Sequence, residues 1–199
     1  MTVDHRTLGA VSVAAGVALG AVDFALQKVL PYPWANLANS AAVWAVAAFA
    51  LGYWLRTGPL RAAIAGSVLL VVAVPVYYVT ATLVQHDNIA NVWAPVSLVW
   101  MAFGVLAGVV FGVAGVWARA NGWQRIVGAA LPGAVLLAEA ARLFRQGNDT
   151  RWTALIELAL GVLVIAMAAR TARQRGASLA VAVPLAALGF VGFHLAGFA

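Results

Sequence analysis

Three carboxylates interrupt long apolar stretches of this 199-residue chain: Asp23, Glu139 and Glu157, half of its six acids. An ionisable group in hydrocarbon is costly enough that it defaults to a functional candidate. Asp23 lies five residues before Lys28, Glu139 three before Arg142 and Glu157 six after Arg151. At about 1.5 Å of rise per residue, each acid falls within roughly 10 Å of one face of a helical bundle. Acids at a common depth can converge on a polar pocket that takes a cationic or hydrogen-bonding solute, with Arg142, Arg145 and Arg151 at its rim. The competing reading is local. Glu139 and Arg142 have the i,i+3 spacing of a simple pair, and groups near an interface can reach water along their own stems.

Polar and aromatic neighbours fall at the same end. Asn36, Asn39 and Ser40 open the second apolar stretch, and Tyr77, Tyr78, Thr80 and Thr82 occupy the matching half of the third. Trp44 and Trp100 lie away from the stretch ends, either as fillers between helices or as a stacking wall for a flat or cationic ligand. The candidate ligand-binding set is therefore Asp23, Asn36, Asn39, Trp44, Tyr78, Trp100, Glu139 and Glu157. Other chemistries lack their parts. His194 stands alone near the end of the last stretch, His86 belongs to a loop, and no His-x-x-x-His pair is present, so a multi-histidine metal hydrolase is disfavoured. A Gly-x-Ser-x-Gly elbow and a phosphate-binding loop are missing as well. With no cysteine there is no thiolate chemistry, and with Lys28 as the one lysine there is no Schiff-base lysine in the last stretch. The expectation is a non-enzyme without metal or cofactor.

The elements that must position these groups follow from composition. Hydrophobic residues make up 64% of the chain and charged residues 9%, with a mean hydropathy of +0.95, which points to lipid as the solvent. A helix crossing the ~30 Å hydrocarbon core needs roughly 20 residues. Stretches free of Lys and Arg run approximately over 8–27, 37–55, 62–84, 92–118, 126–141, 152–169 and 177–198. They predict an all-α transmembrane bundle of about seven helices, one domain over 1–199 and no soluble domain. Turn residues such as Pro31-Tyr32-Pro33, Thr57-Gly58-Pro59 and His86-Asp87-Asn88 separate them. Pro75, Pro95, Pro132 and Pro184 fall inside the stretches, which membrane helices tolerate.

Charge supplies the topology. Counted at alternate ends of seven spans, Arg6, Arg56, Arg61, Arg119, Arg125, Arg170, Arg173 and Arg175 share one side, and Lys28, Arg142, Arg145 and Arg151 the other. The positive-inside rule then places the chain in the cell membrane with its N-terminus cytoplasmic and its C-terminus outside. The net charge of +6 is read as a topology signal and not as a nucleic-acid footprint. Trp34, Trp54, Trp93, Trp117, Trp123 and Trp152 sit near stretch ends, as an interfacial belt requires. Ala10, Ala14 and Ala18, with Gly16 and Gly20 alongside, offer a close-packing face for a partner helix. Ala38–Trp44 and Ala94–Trp100 align without gaps, and Gly52 and Gly108 follow at equal distance. That pattern marks spans two and four as possible repeat equivalents.

The segment 34–40, followed by Trp44 and 47–52, together with 136–140 and 157–161, resembles an uncharacterised family of small actinobacterial multi-pass membrane proteins. That likeness implies membrane topology alone. A weaker resemblance is to the substrate-binding subunits of energy-coupling-factor vitamin transporters. It implies an outward pocket and an Ala-x-x-x-Ala docking face, matched here by Ala10 and Ala14, although those subunits have six spans. The reading is a protein of the lipid bilayer that binds or transports a small organic or cationic solute in an outward polar and aromatic pocket. Its alternative is a structural or accessory membrane subunit without a ligand site.

Overall fold

The computed structural model describes residues 4–197, and those residues form helices without any strand. The elements are α1 (His5–Val29), α2 (Trp34–Ala38), α3 (Ala41–Leu55), α4 (Pro59–Gln85), α5 (Pro95–Trp117), α6 (Gly122–Gln146), α7 (Arg151–Ala168) and α8 (Ala172–Leu195). Short 3-10 turns, Ile89–Trp93 and Asn148–Thr150, precede α5 and α7. Starts are marked by local chemistry: Asp4 accepts from the Thr7 N–H at 2.6 Å, and Pro59 and Pro95 occupy first turns, where the absent N–H costs nothing. The Thr7 N–H also holds the Asp4 carboxyl below its ordinary range.

Six helices are long and apolar enough to cross a membrane: α1, α4, α5, α6, α8, and α7 together with the turn before it. The seventh expected span differs. Its stretch is broken at Asn39-Ser40 into α2 and a 15-residue α3, which at 1.5 Å per residue is about 22 Å long and falls short of the ~30 Å core. The fifth stretch is longer than its charge-free run, because α6 continues through Arg142 and Arg145, whose guanidiniums lie over Phe193 and Phe190 of α8. Pro95 starts a helix instead of interrupting one, whereas Pro75, Pro132 and Pro184 are inside helices as expected. The end of the last stretch, residue 198, lies outside the described residues.

α4–turn–α5 and α6–turn–α7 form packed helical hairpins, while α1 and α3, joined through α2, barely touch and pack mainly on α4 and α5 respectively. All three connections turn at the same end through a short helical element, and α8 packs back on α6. Side-chain contacts register the ends: Arg61 meets His5 and Ser178 bonds the Ile126 carbonyl at one end, and Tyr32 bonds the Trp152 N–H at the other. The eight arginines of the sequence count all lie at the His5 end, and Lys28, Arg142, Arg145 and Arg151 lie opposite. Both aligned segments sit where a short helical element leads into a longer helix, at α2–α3 and at the turn before α5.

Small residues bring the backbones together, as in membrane bundles where lipid gives no hydrophobic drive between helices. α4 and α5 make the most extensive pair, with Gly66 facing Gly108, while Gly52 of α3 meets Gly112 of α5 and Gly133 of α6 meets Gly161 of α7. Gly16 and Gly20 of α1 pack on α4, leaving Ala10, Ala14 and Ala18 exposed. Outward faces are apolar, and Trp34, Trp54, Trp93, Trp123 and Trp152 are exposed near helix ends. The architecture is an apolar helical bundle of multi-pass membrane character.

Candidate functional site

The break between α2 and α3 organises the site. Asn39 ends α2, and Ser40 adopts an extended conformation (φ −83°, ψ 126°) from which α3 starts. A helix start leaves its first N–H groups without intrahelical acceptors, and this one is buried. Ser40 Oγ accepts from the Val43 N–H at 3.2 Å. Glu139 of α6 reaches across and accepts from the Ala42 N–H at 2.7 Å and the Ser40 hydroxyl at 2.9 Å through Oε2. Its Oε1 accepts from Arg142 at 2.9 Å. A carboxylate at a helix N-terminus also meets the positive end of the helix dipole. Glu139 is thus fully partnered, combining the expected i,i+3 pair with a cap supplied by another helix.

Glu157 is different. It is completely buried on α7, and neither carboxylate oxygen has a hydrogen-bond partner among the described residues. Its position is fixed from the preceding turn, where Thr153 donates to the Pro33 carbonyl at 3.3 Å and Trp152 donates to Tyr32. These bonds hold the start of α7 against the segment before α2. Glu157 then lies within electrostatic reach of Glu139, Ser40 and Arg142. The single Ser40 proton is already directed to Glu139. An unpartnered buried polar group is an exception in a native fold and calls for a reason.

Asp23 sits apart, at the junction of α1 and α4. Its Oδ2 accepts from Gln27 at 3.0 Å, and Gln27 accepts in turn from the Tyr77 hydroxyl at 3.3 Å. Phe24 and Tyr78 each stand edge-on to Tyr77, and the Trp44 indole lies close enough to interact with the carboxyl. Oδ1 has no hydrogen-bond partner among the described residues. Two of the three acids therefore meet, and the third forms a separate polar and aromatic cluster. Trp44 also packs against the core of Ala48, Leu51 and Leu69. Trp100 is half-buried on the same stripe of α5 as Ser97 and Gly104, edge-on to Phe103. Asn36 and Asn39 are exposed.

The arginines expected at one rim divide between two surface hollows. Arg142 and Arg145 line one of about 210 Å³ with Gln146, Phe190 and His194, and Arg151 lines another of about 470 Å³ with Asn148, Trp152 and Leu155. Neither is lined by Asp23, Glu139 or Glu157. Sequence reasoning missed the roles of Thr153 and Gln27. The i,i+4 spacing of Asp23 and Gln27 was the available signal for the latter. Ser40→Ala is expected to cost about 1–2 kcal/mol, since it removes both a cap and a buried hydrogen bond. Ser40→Thr should recover most of that loss, as read by thermal unfolding in detergent.

No curated protein and no solved structure matches this chain. A family model described as a family of unknown function does match, over residues 3–197, nearly the full length, and the chain accordingly belongs to that family, DUF6518.

Proposed function

We propose that this protein binds or transports a small organic solute, cationic or rich in hydrogen-bond donors, at the Glu139–Glu157 pair beside the start of α3. The observation that carries this reading is Glu157: a completely buried carboxyl with no hydrogen-bond partner among the described residues, next to a carboxyl that already holds the Ser40 proton. A fold that needed only stability has no use for such a group, because replacing it by an apolar residue removes a desolvation cost. A broken helix whose buried start lies beside the site supports the same reading, since discontinuous helices form binding sites in many transporters. The chain acts as a binder and not as an enzyme. By the positive-inside rule, the His5 end with its eight arginines faces the cytoplasm.

The test is thermal unfolding of the detergent-purified protein against alkylamines, quaternary ammonium ions, guanidinium compounds and their neutral isosteres. The wild type should be stabilised by at least one cationic or donor-rich class. Glu157→Gln should insert and fold with equal or higher intrinsic stability, by up to about 3 kcal/mol, and should lose that response. Equal stabilisation of both proteins would refute the reading. The alternative, an accessory subunit, draws on a different observation: the two hollows do not reach the acids, and the Ala10, Ala14 and Ala18 face is exposed. It requires a stoichiometric partner crosslinked through that face and no response to any solute.

A further inference from the structure

The hollow between the ends of α6 and α8 is not lined by Glu139 or Glu157, and Arg142, the partner of Glu139, stands between it and that pair. Arg142 and Arg145 are one turn apart on α6, and each guanidinium lies over a phenylalanine ring of α8, Phe193 and Phe190 respectively, at 5.5 Å. The ring contacts fix where the two guanidiniums sit, and since Arg142 already donates to Glu139, it is Arg145 that offers its N–H groups to a phosphate. Gln146 and His194 complete the lining of a space of about 210 Å³. Arg145 forms no ion pair among the described residues.

The surroundings identify the occupant. α8 is the least buried of the long helices, and Leu188, Val191 and Leu195, spaced to share a face, are exposed. A phosphate in the hollow would thus have an apolar helix face running away from it, which acyl chains can cover. We propose that the hollow formed by Arg142, Arg145, Gln146, Phe190 and His194 binds the phosphate headgroup of an anionic phospholipid, with the acyl chains lying along α8. Basic hollows between helices at the level of the headgroups are suited to this role.

The experiment is native mass spectrometry of the full-length protein, extracted from vesicles containing equal amounts of phosphatidylglycerol and phosphatidylcholine. The wild type should retain phosphatidylglycerol over phosphatidylcholine by at least tenfold. Arg145→Gln and Phe190→Ala should each lower that preference several-fold. Arg151→Gln, which removes the same charge at the other hollow, should leave it unchanged. Equal retention of the two lipids, a preference insensitive to Arg145→Gln, or an equal loss in Arg151→Gln would overturn the proposal. A parallel titration with inorganic phosphate and glycerol phosphate separates the sources. Thermal stabilisation by either at micromolar concentration, as strong as that by the lipid, would assign the hollow to a free anion and also overturn it. Because Arg145→Gln and Phe190→Ala leave the Arg142–Glu139 pair and Glu157 in place, failure here leaves the solute reading standing, and the reverse holds.

Discussion

Glu139→Ala is expected to destabilise the protein by about 3–5 kcal/mol, the range for breaking a buried charge pair by removing one partner. The figure follows from what the carboxylate serves. It accepts from the Ala42 N–H, the Ser40 hydroxyl and Arg142. Its loss leaves two buried donors unmet, each costing about 1–3 kcal/mol, and removes the carboxylate to which Arg142 donates. The Arg142 side chain keeps 17% exposure, so water relieves part of its charge and the total stays below the sum of the separate costs. Glu139→Gln separates the contributions. Its amide oxygen still accepts from Ala42 and Ser40 but offers no charge to Arg142 or to the dipole of α3, so roughly half of the loss should be recovered. Chemical or thermal denaturation in one detergent gives both values, and equal destabilisation by Ala and Gln would show that charge alone matters at this position.

The pair of glutamates illustrates how one residue type takes two roles. Glu139 is a structural group: it ends a break in the chain, and its partners come from α3 and from one turn along α6. Glu157 has a comparable depth but no such partners. Substitutions should therefore separate, with Glu139 variants reporting on stability and Glu157 variants on solute response. A uniform loss of stability in both would mean that the pair is a single structural unit, and the solute reading would lose its carrying observation.

The all-helical class and the six long apolar helices were legible because apolar length against a ~30 Å core is a strong constraint, whereas the expected seventh span was not. Two features were hidden. The break at Asn39-Ser40 is stabilised from 99 residues away by Glu139, and no local window contains that information. Without it, the run from Leu37 to Leu55 reads as one helix. The separation of Asp23 from the glutamates was equally hidden. Equal depth does not set azimuth, and the side of α1 that faces α4 is selected by Gly16 and Gly20, not by the acid itself. The exposure of Asn36 and Asn39 has the same origin, because α2 is a short helix before the break and not the first turn of a continuous span.

Gly108→Leu should yield no folded protein, because position 108 has no space for any side chain. A Cβ there would overlap backbone atoms of Gly66 and Ser67 on α4, and backbone cannot rotate away as a side-chain end can. The α4–α5 contact is the most extensive in the bundle, and the Ser67 hydroxyl bonds the Val105 carbonyl across it at 3.1 Å. Even Gly108→Ala must push the two helices apart. The expected cost is at least the 1–3 kcal/mol typical of overpacking, with further loss from the stretched bond and from the contacts of Gly104 and Gly112 along the same stripe. Gly9→Ala is the matched control. It lies within α1, where a Cβ meets nothing within 4 Å, so relief of glycine's backbone entropy should stabilise the protein by about 0.5–1 kcal/mol. Size-exclusion profiles and melting curves of the three variants in one detergent provide the check. The close-packing account requires opposite signs at positions 9 and 108, and a Gly108→Leu protein that elutes and melts like the wild type would show that α4 and α5 do not approach this closely.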